Sequence, residues 1–161
     1  PDKAVYAYPS EHLPLWNAEL TPDEPFGPGT FGENLTVAGW NEDEARIGDV
    51  WSCGVAILQI CQPRYPGFKL SMTTGRLVVG KRMLQTLRNG WYLRVVQPGE
   101  VPVGGPIAVT ERGPEHATVA NAVRALLPGS SRELIEAIAG VDALAVNWRE
   151  SLLERLAVEF V

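Results

Sequence analysis

A chain of 161 residues with 45% hydrophobic and 20% charged residues can bury one core, or one core with a small appendage, and is too apolar to stay disordered. Its net charge of -5 excludes general nucleic-acid and anionic-membrane binding, which need a basic face, so any anion site must be local. No apolar run reaches the roughly 18 residues that span a bilayer, and no signal peptide is visible, so the chain reads as cytoplasmic. Cys53 and Cys61 lie in an apolar, strand-like run and read as buried thiols of a reducing compartment. With the two histidines they match no zinc spacing. The chain starts at Pro1 rather than methionine, and residues 1–5 read as the interior of a longer sequence.

In chain order, residues 3–8 predict a short strand or a turn into a helix. Ser10 is the expected N-cap of a helix running through Trp16 to Leu20, with acids in its first turn. Three prolines and two glycines make residues 21–30 a loop. Residues 31–37 form a short segment bracketed by turn residues, and residues 47–51 begin a strand. Val, Ile and Leu over residues 54–60 suit a buried strand, and the frequent turn residues point to a β-barrel rather than to βαβ units.

Residues 62–70 carry two prolines, a glycine and two cations, and predict a rigid electropositive loop. Met83, Leu84 and Leu87 at helical spacing predict a helix over 78–87, closed by Asn89 and Gly90. Strands over 91–96 and 101–110 follow. From Thr118 the chain reads as three short helices, over 118–127, 131–139 and 147–160, the last with Trp148, Leu152, Leu153 and Leu156 along one face. The expected fold is thus mostly β with α: a barrel over residues 1–112 and a small three-helix unit over 113–161. About forty residues make a small core, so that unit must pack on the barrel or on a partner chain.

Candidate chemistry gathers around the 62–70 loop. Arg64 and Lys69, stiffened by Pro63 and Pro66, suit a carboxylate, phosphate or other oxyanion; the plainer reading pairs Arg64 with a structural carboxylate and leaves Lys69 solvated. Asn34, beside Glu33, either hydrogen-bonds a ligand or satisfies a turn. Asp2, beside Lys3, is either a general base, the partner of Arg64, or a solvated carboxylate near the chain start. His12 reads as a surface or capping residue. Cys61 immediately precedes Gln62 and is a weak metal-ligand candidate, with core packing as its default.

Pro1-Asp2-Lys3-Ala4 with Tyr8-Pro9, then Phe31-Gly32-Glu33-Asn34-Leu35, Ile47-Gly48-Asp49, and Gln62-Pro63-Arg64 with Lys69-Leu70 together resemble the MOSC domain, named for the C-terminal part of molybdenum cofactor sulfurase. The chain is most similar to bacterial stand-alone members tied to resistance against N-hydroxylated base analogues, which also carry a three-helix C-terminal domain. The resemblance implies a barrel whose first strands and a His-Gly-Gly stretch would precede Pro1. It implies a cleft for the molybdenum cofactor and reduction of N-hydroxylated compounds. Asn34, Glu33, Lys3, Gln62, Arg64 and Lys69 would then bind cofactor or substrate. The resemblance also places a metal-binding cysteine where Gly67 stands, and glycine offers no thiolate.

Three accounts of Gly67 follow. The cofactor binds through its own groups, with Cys61 or solvent completing the metal. Alternatively the pocket is repurposed for metal-free acid/base chemistry, with Asp2 as base and Arg64 stabilising negative charge. In the third account the chain is either an engineered cysteine variant or an inactive relative that only binds, as a cofactor-binding or carrier module. The expected ligand is a small anionic or N–O-containing molecule, and an incomplete barrel with an exposed start would pair as a homodimer.

Overall fold

The computed structural model describes residues 1–160, apart from the side chains of Phe68 and Lys69. Six strands form one sheet in the order β2-β1-β5-β4-β3-β6: β1 (Val5–Pro9), β2 (Leu35–Val37), β3 (Val50–Cys53), β4 (Ala56–Pro63), β5 (Trp91–Gln97) and β6 (Ile107–Glu111). Only β1 and β2 run parallel; the other pairs are antiparallel, and of these β3 and β4 are joined directly by a two-residue turn. Register shifts at Val50/Trp51, Ile57/Leu58 and Ile60/Gln62 add twist where the sheet curls into half of a barrel. With six helices besides, the content is mixed α/β.

Alternation along β1 divides the interior. Ala7 faces one core with Trp51, Leu58, Ile60, Trp91 and Leu93, whereas Tyr6 and Tyr8 face a second core with Trp16, Phe31, Leu70 and Met83. The second core is covered by α1 (His12–Leu20), α2 (Phe68–Thr74) and α3 (Val78–Thr86). The first continues without a break into α4 (Val119–Leu126), α5 (Arg132–Ala139) and α6 (Val146–Glu159). The three-helix unit therefore packs on the sheet, with Ile135, Ile138, Trp148 and Leu152 in the same cluster as the strands.

Local chemistry explains most boundaries. The Thr118 and Ser131 hydroxyls accept from the backbone N–H groups of Asn121 and Leu134, so each is the N-cap of its helix rather than its first residue. Ser10 does not cap α1. Its hydroxyl meets Glu11 Oε1 at 3.1 Å, its carbonyl accepts from Leu13, and Glu11 occupies the cap position without a side-chain bond.

Asn89 and Gly90 do not close α3, whose C-cap is Leu87 at φ 61°. Asn89 is fully buried, and Gly90 (φ 66°) lets β5 start against β1, since a Cβ there would lie 2.5 Å from the Ala7 carbonyl. Residues 62–70 are not all loop: β4 runs to Pro63 and α2 starts at Phe68. On α6, Trp148 and Leu152 are buried and Leu156 packs against the core, but Leu153 is exposed, being off the i, i+4, i+8 row.

Candidate functional site

A cavity of about 690 Å³ is an apolar trough between the sheet edges β2 and β6, lined by Leu35, Val37, Trp40, Cys53 and Ile107 among others. Asn34 borders it, but its Oδ1 accepts from Tyr6 N–H at 2.8 Å while its own N–H reaches the Tyr6 carbonyl. That carboxamide extends the β1–β2 pairing. Glu33 is similarly occupied, accepting from Phe31 N–H and the Thr36 hydroxyl. No charged side chain lines the trough, and its Cys53 thiol is held protonated by burial, so its size alone does not mark a reactive site.

A smaller cavity of about 350 Å³ lies where the sheet meets α6. Lys3 before β1, Gln62 and Pro63 at the end of β4, Tyr65 just beyond it and Tyr92 on β5 form one side. Leu126 from α4 and Asn147, Trp148 and Ser151 from α6 form the other. The Lys3 ammonium stands 5.9 Å from the Tyr92 ring centroid, and among the described residues no carboxylate pairs with it. Gln62 is buried and donates through Nε2 to the Asp2 carbonyl at 2.9 Å.

Of the residues singled out in the sequence, Lys3 and Gln62 reach this cleft. Asp2 is not the partner of Arg64, because its carboxylate pairs with Arg94 at 3.0 Å, which in turn bonds Gln59. Its backbone carbonyl is taken by Gln62 and by the Cys61 thiol, at 3.1 Å. Burial pushes the Cys61 thiol up to about 12, and neighbouring Arg94 offsets only part of this.

Arg64 is buried without any ion pair among the described residues. Its guanidinium lies 4.7 Å from the Tyr6 centroid, and its Nη1 donates to the Phe31 carbonyl. It ties the 31–34 turn to the Tyr6 side of β1 and does not line the cleft. Burial holds the Tyr6 hydroxyl protonated well above its usual range, against the opposing pull of Arg64. Gly67 is exposed at the N-cap of α2 in extended conformation (φ -127°), and a Cβ there would meet nothing within 4 Å. The side chain of Lys69 lies outside the described residues.

His12 is not a free surface group: its Nε2 lies 2.7 Å from Glu42 Oε1, and Glu42 Oε2 accepts from Gly90 N–H. Tyr65, Tyr92, Asn147 and Ser151 were not singled out in the sequence, and Trp148 only as part of an apolar helix face. They come from three separate elements and form no motif; the helical spacing of Trp148 signalled only core.

The MOSC domain family model matches residues 1–108. The chain is 37% identical over 156 residues to YflK of Bacillus subtilis, covering 96% of this chain and 70% of that protein. A protein of Gibberella moniliformis named "Reductase" is 34% identical over 128 residues, covering 78% of this chain and 23% of that protein. The crystal structure of YiiM from Geobacillus stearothermophilus superimposes with a TM-score of 0.91 at 36% identity, covering 96% of this chain and 79% of that one. Ordered motifs, a curled half-barrel with a three-helix unit, and these likenesses converge: the chain belongs to the MOSC domain family.

Proposed function

We propose that this chain is the ligand-binding core of a MOSC-type enzyme acting on a small anionic compound with an N–O group, held in the cleft between the sheet and α6. The observation that carries the reading is the Lys3 ammonium, set beside the Tyr92 ring in a cavity of about 350 Å³ with no carboxylate partner among the described residues. Lys3 is exposed at the mouth of this cavity, and a cation there without a counter-ion attracts an anionic ligand. The Tyr92 hydroxyl and the Asn147 carboxamide add donors and acceptors that suit an N–O group, whose oxygen accepts and whose N–H donates. Likeness to a protein named a reductase supports reduction of the N–O bond as the reaction class.

The residues present do not fit a molybdenum cofactor held by a protein thiolate. Position 67 has room for a ligand side chain and supplies no donor atom. Cys61 does not replace it: the thiol is fully buried, turned to the Asp2 and Tyr92 carbonyls, and held protonated by burial. Cys53 is buried in the other wall of the sheet, and the described residues hold no group of three His, Cys, Asp or Glu side chains placed to share a metal. The roles assigned to this chain are therefore binding and orientation.

A second reading, a non-catalytic binding module, is favoured by one observation. The cleft is lined by no His, Cys, Asp or Glu, and the carboxylate of Asp2 is held by Arg94. Titration with benzohydroxamate at about pH 9, where much of the hydroxamic acid is ionised, separates the readings. Wild type is expected to bind saturably, with affinity that falls as salt rises, and Lys3→Met to bind about tenfold more weakly. Formation of benzamide and water with an added two-electron donor selects the enzyme. Binding without turnover selects the module, and no binding by wild type rejects both.

A further inference from the structure

Helix α6 carries more of the cleft than the sequence motifs suggest. Trp148 is a fixed wall: it is 4% exposed, and its Nε1 donates to the Ala122 carbonyl at 3.2 Å. Tyr65 leans toward it from the end of β4, with ring centroids 6.4 Å apart at 62°, yet remains 54% exposed. Tyr92, also at the cleft, supplies a third ring from the sheet side.

Asn147 and Ser151, four residues apart, share one face of α6 next to Trp148 and border the same cavity. The Ser151 hydroxyl donates to the Asn147 carbonyl at 3.1 Å, which leaves its oxygen free to accept. The Asn147 carboxamide makes no hydrogen bond among the described residues, so both its donor and its acceptor are available.

We propose that α6 and Tyr65 determine which ligands this cleft takes: Tyr65 and Trp148 favour a planar ring, and Asn147 with Ser151 reads polar substituents on its edge, while Lys3 holds the charged group. The ligand class is then planar aromatic anions rather than aliphatic ones of equal charge. An aromatic contact adds to area burial, and an unengaged amide beside a hydroxyl discriminates ligands that can pair with it from those that cannot. The proposal rests on the reading of the cleft as an anion site, and it goes further by assigning selectivity to the three-helix unit.

Calorimetric titration of the full chain at the same pH of about 9 with benzohydroxamate, 4-hydroxybenzohydroxamate and acetohydroxamate tests it. Wild type is expected to prefer benzohydroxamate over acetohydroxamate by about tenfold or more. Tyr65→Ala, at an exposed position, is expected to weaken benzohydroxamate about fivefold more than acetohydroxamate. The double variant Asn147→Ala/Ser151→Ala is expected to lose affinity for the 4-hydroxy ligand selectively.

If wild type binds both ring and aliphatic hydroxamates equally, or if the variants leave every ratio unchanged, the α6 assignment is overturned and the anion site stands. If wild type binds none of the three, the anion-site reading falls and this inference with it.

Discussion

Arg64 lies across the Tyr6 ring with one N–H given to the Phe31 carbonyl, so its removal leaves a buried acceptor unpaired and a ring face uncovered. Arg64→Ala is expected to cost about 2–3 kcal/mol in denaturant unfolding while leaving affinity in the cleft within about twofold. Arg64→Lys should recover less than half, because an ammonium lacks the planar guanidinium face. Gly67 has the opposite character. With extended backbone and open space at its Cβ, Gly67→Cys should unfold within about 1 kcal/mol of wild type. It should also present one thiol that reacts rapidly with a disulfide reagent, where native wild type presents none because Cys53 and Cys61 are buried.

Cys61 gives a pH signature. Its thiol is raised from an ordinary value of 9.0 to about 12 in the folded protein, chiefly by burial. Below pH 9 folded and unfolded states both hold the proton and its contribution to stability is complete. Between 9 and 12 the unfolded state has released the proton that the folded state keeps, so stability falls as pH rises. Buried Tyr6 and Tyr8 act in the same direction above pH 10. Denaturation midpoints measured from pH 8 to 10 should decline, and less steeply in Cys61→Ala than in wild type.

At the scale of elements, what the sequence made legible was whatever local chemistry decides. The helices expected to start at Thr118 and Ser131 begin one residue later, because those two side chains act as their N-caps. Thr118→Ala and Ser131→Ala should each lower stability by about 1 kcal/mol in thermal or denaturant unfolding. What was not legible depends on partners distant in the chain. Helix α2 has a Ser- and Thr-rich composition with weak helix preference. It is held by Leu70 in the aromatic core and by the Thr73 and Thr74 hydroxyls bonding back to the Leu70 carbonyl. The Leu87 cap and the burial of Asn89 follow from where β5 must start, which α3 alone cannot specify. The motif residues were legible as a set but divided by role: Lys3 and Gln62 line the cleft, whereas Asn34, Glu33 and Arg64 hold the strands and turn around it. Tyr65, Tyr92 and Trp148 escaped because a contact between β4, β5 and α6 leaves no spacing to read.

Across the whole molecule, one hydrophobic cluster runs from the sheet into the three helices, so the wall that α6 lends to the cleft is anchored in the same core as the strands. That continuity is what allows Asn147 and Ser151, near the end of the chain, to face Lys3 and Gln62 from its beginning and middle. The apolar trough between β2 and β6, although larger, presents no charged side chain to a charged ligand. Backbone amide chemical-shift mapping during a benzohydroxamate titration compares the two cavities in one experiment. The account predicts saturable shifts at Lys3, Gln62, Tyr65, Tyr92, Asn147 and Ser151, with a common dissociation constant. Shifts confined to residues 35–37 and 101–107, or a spectrum unchanged at saturating ligand, would contradict it.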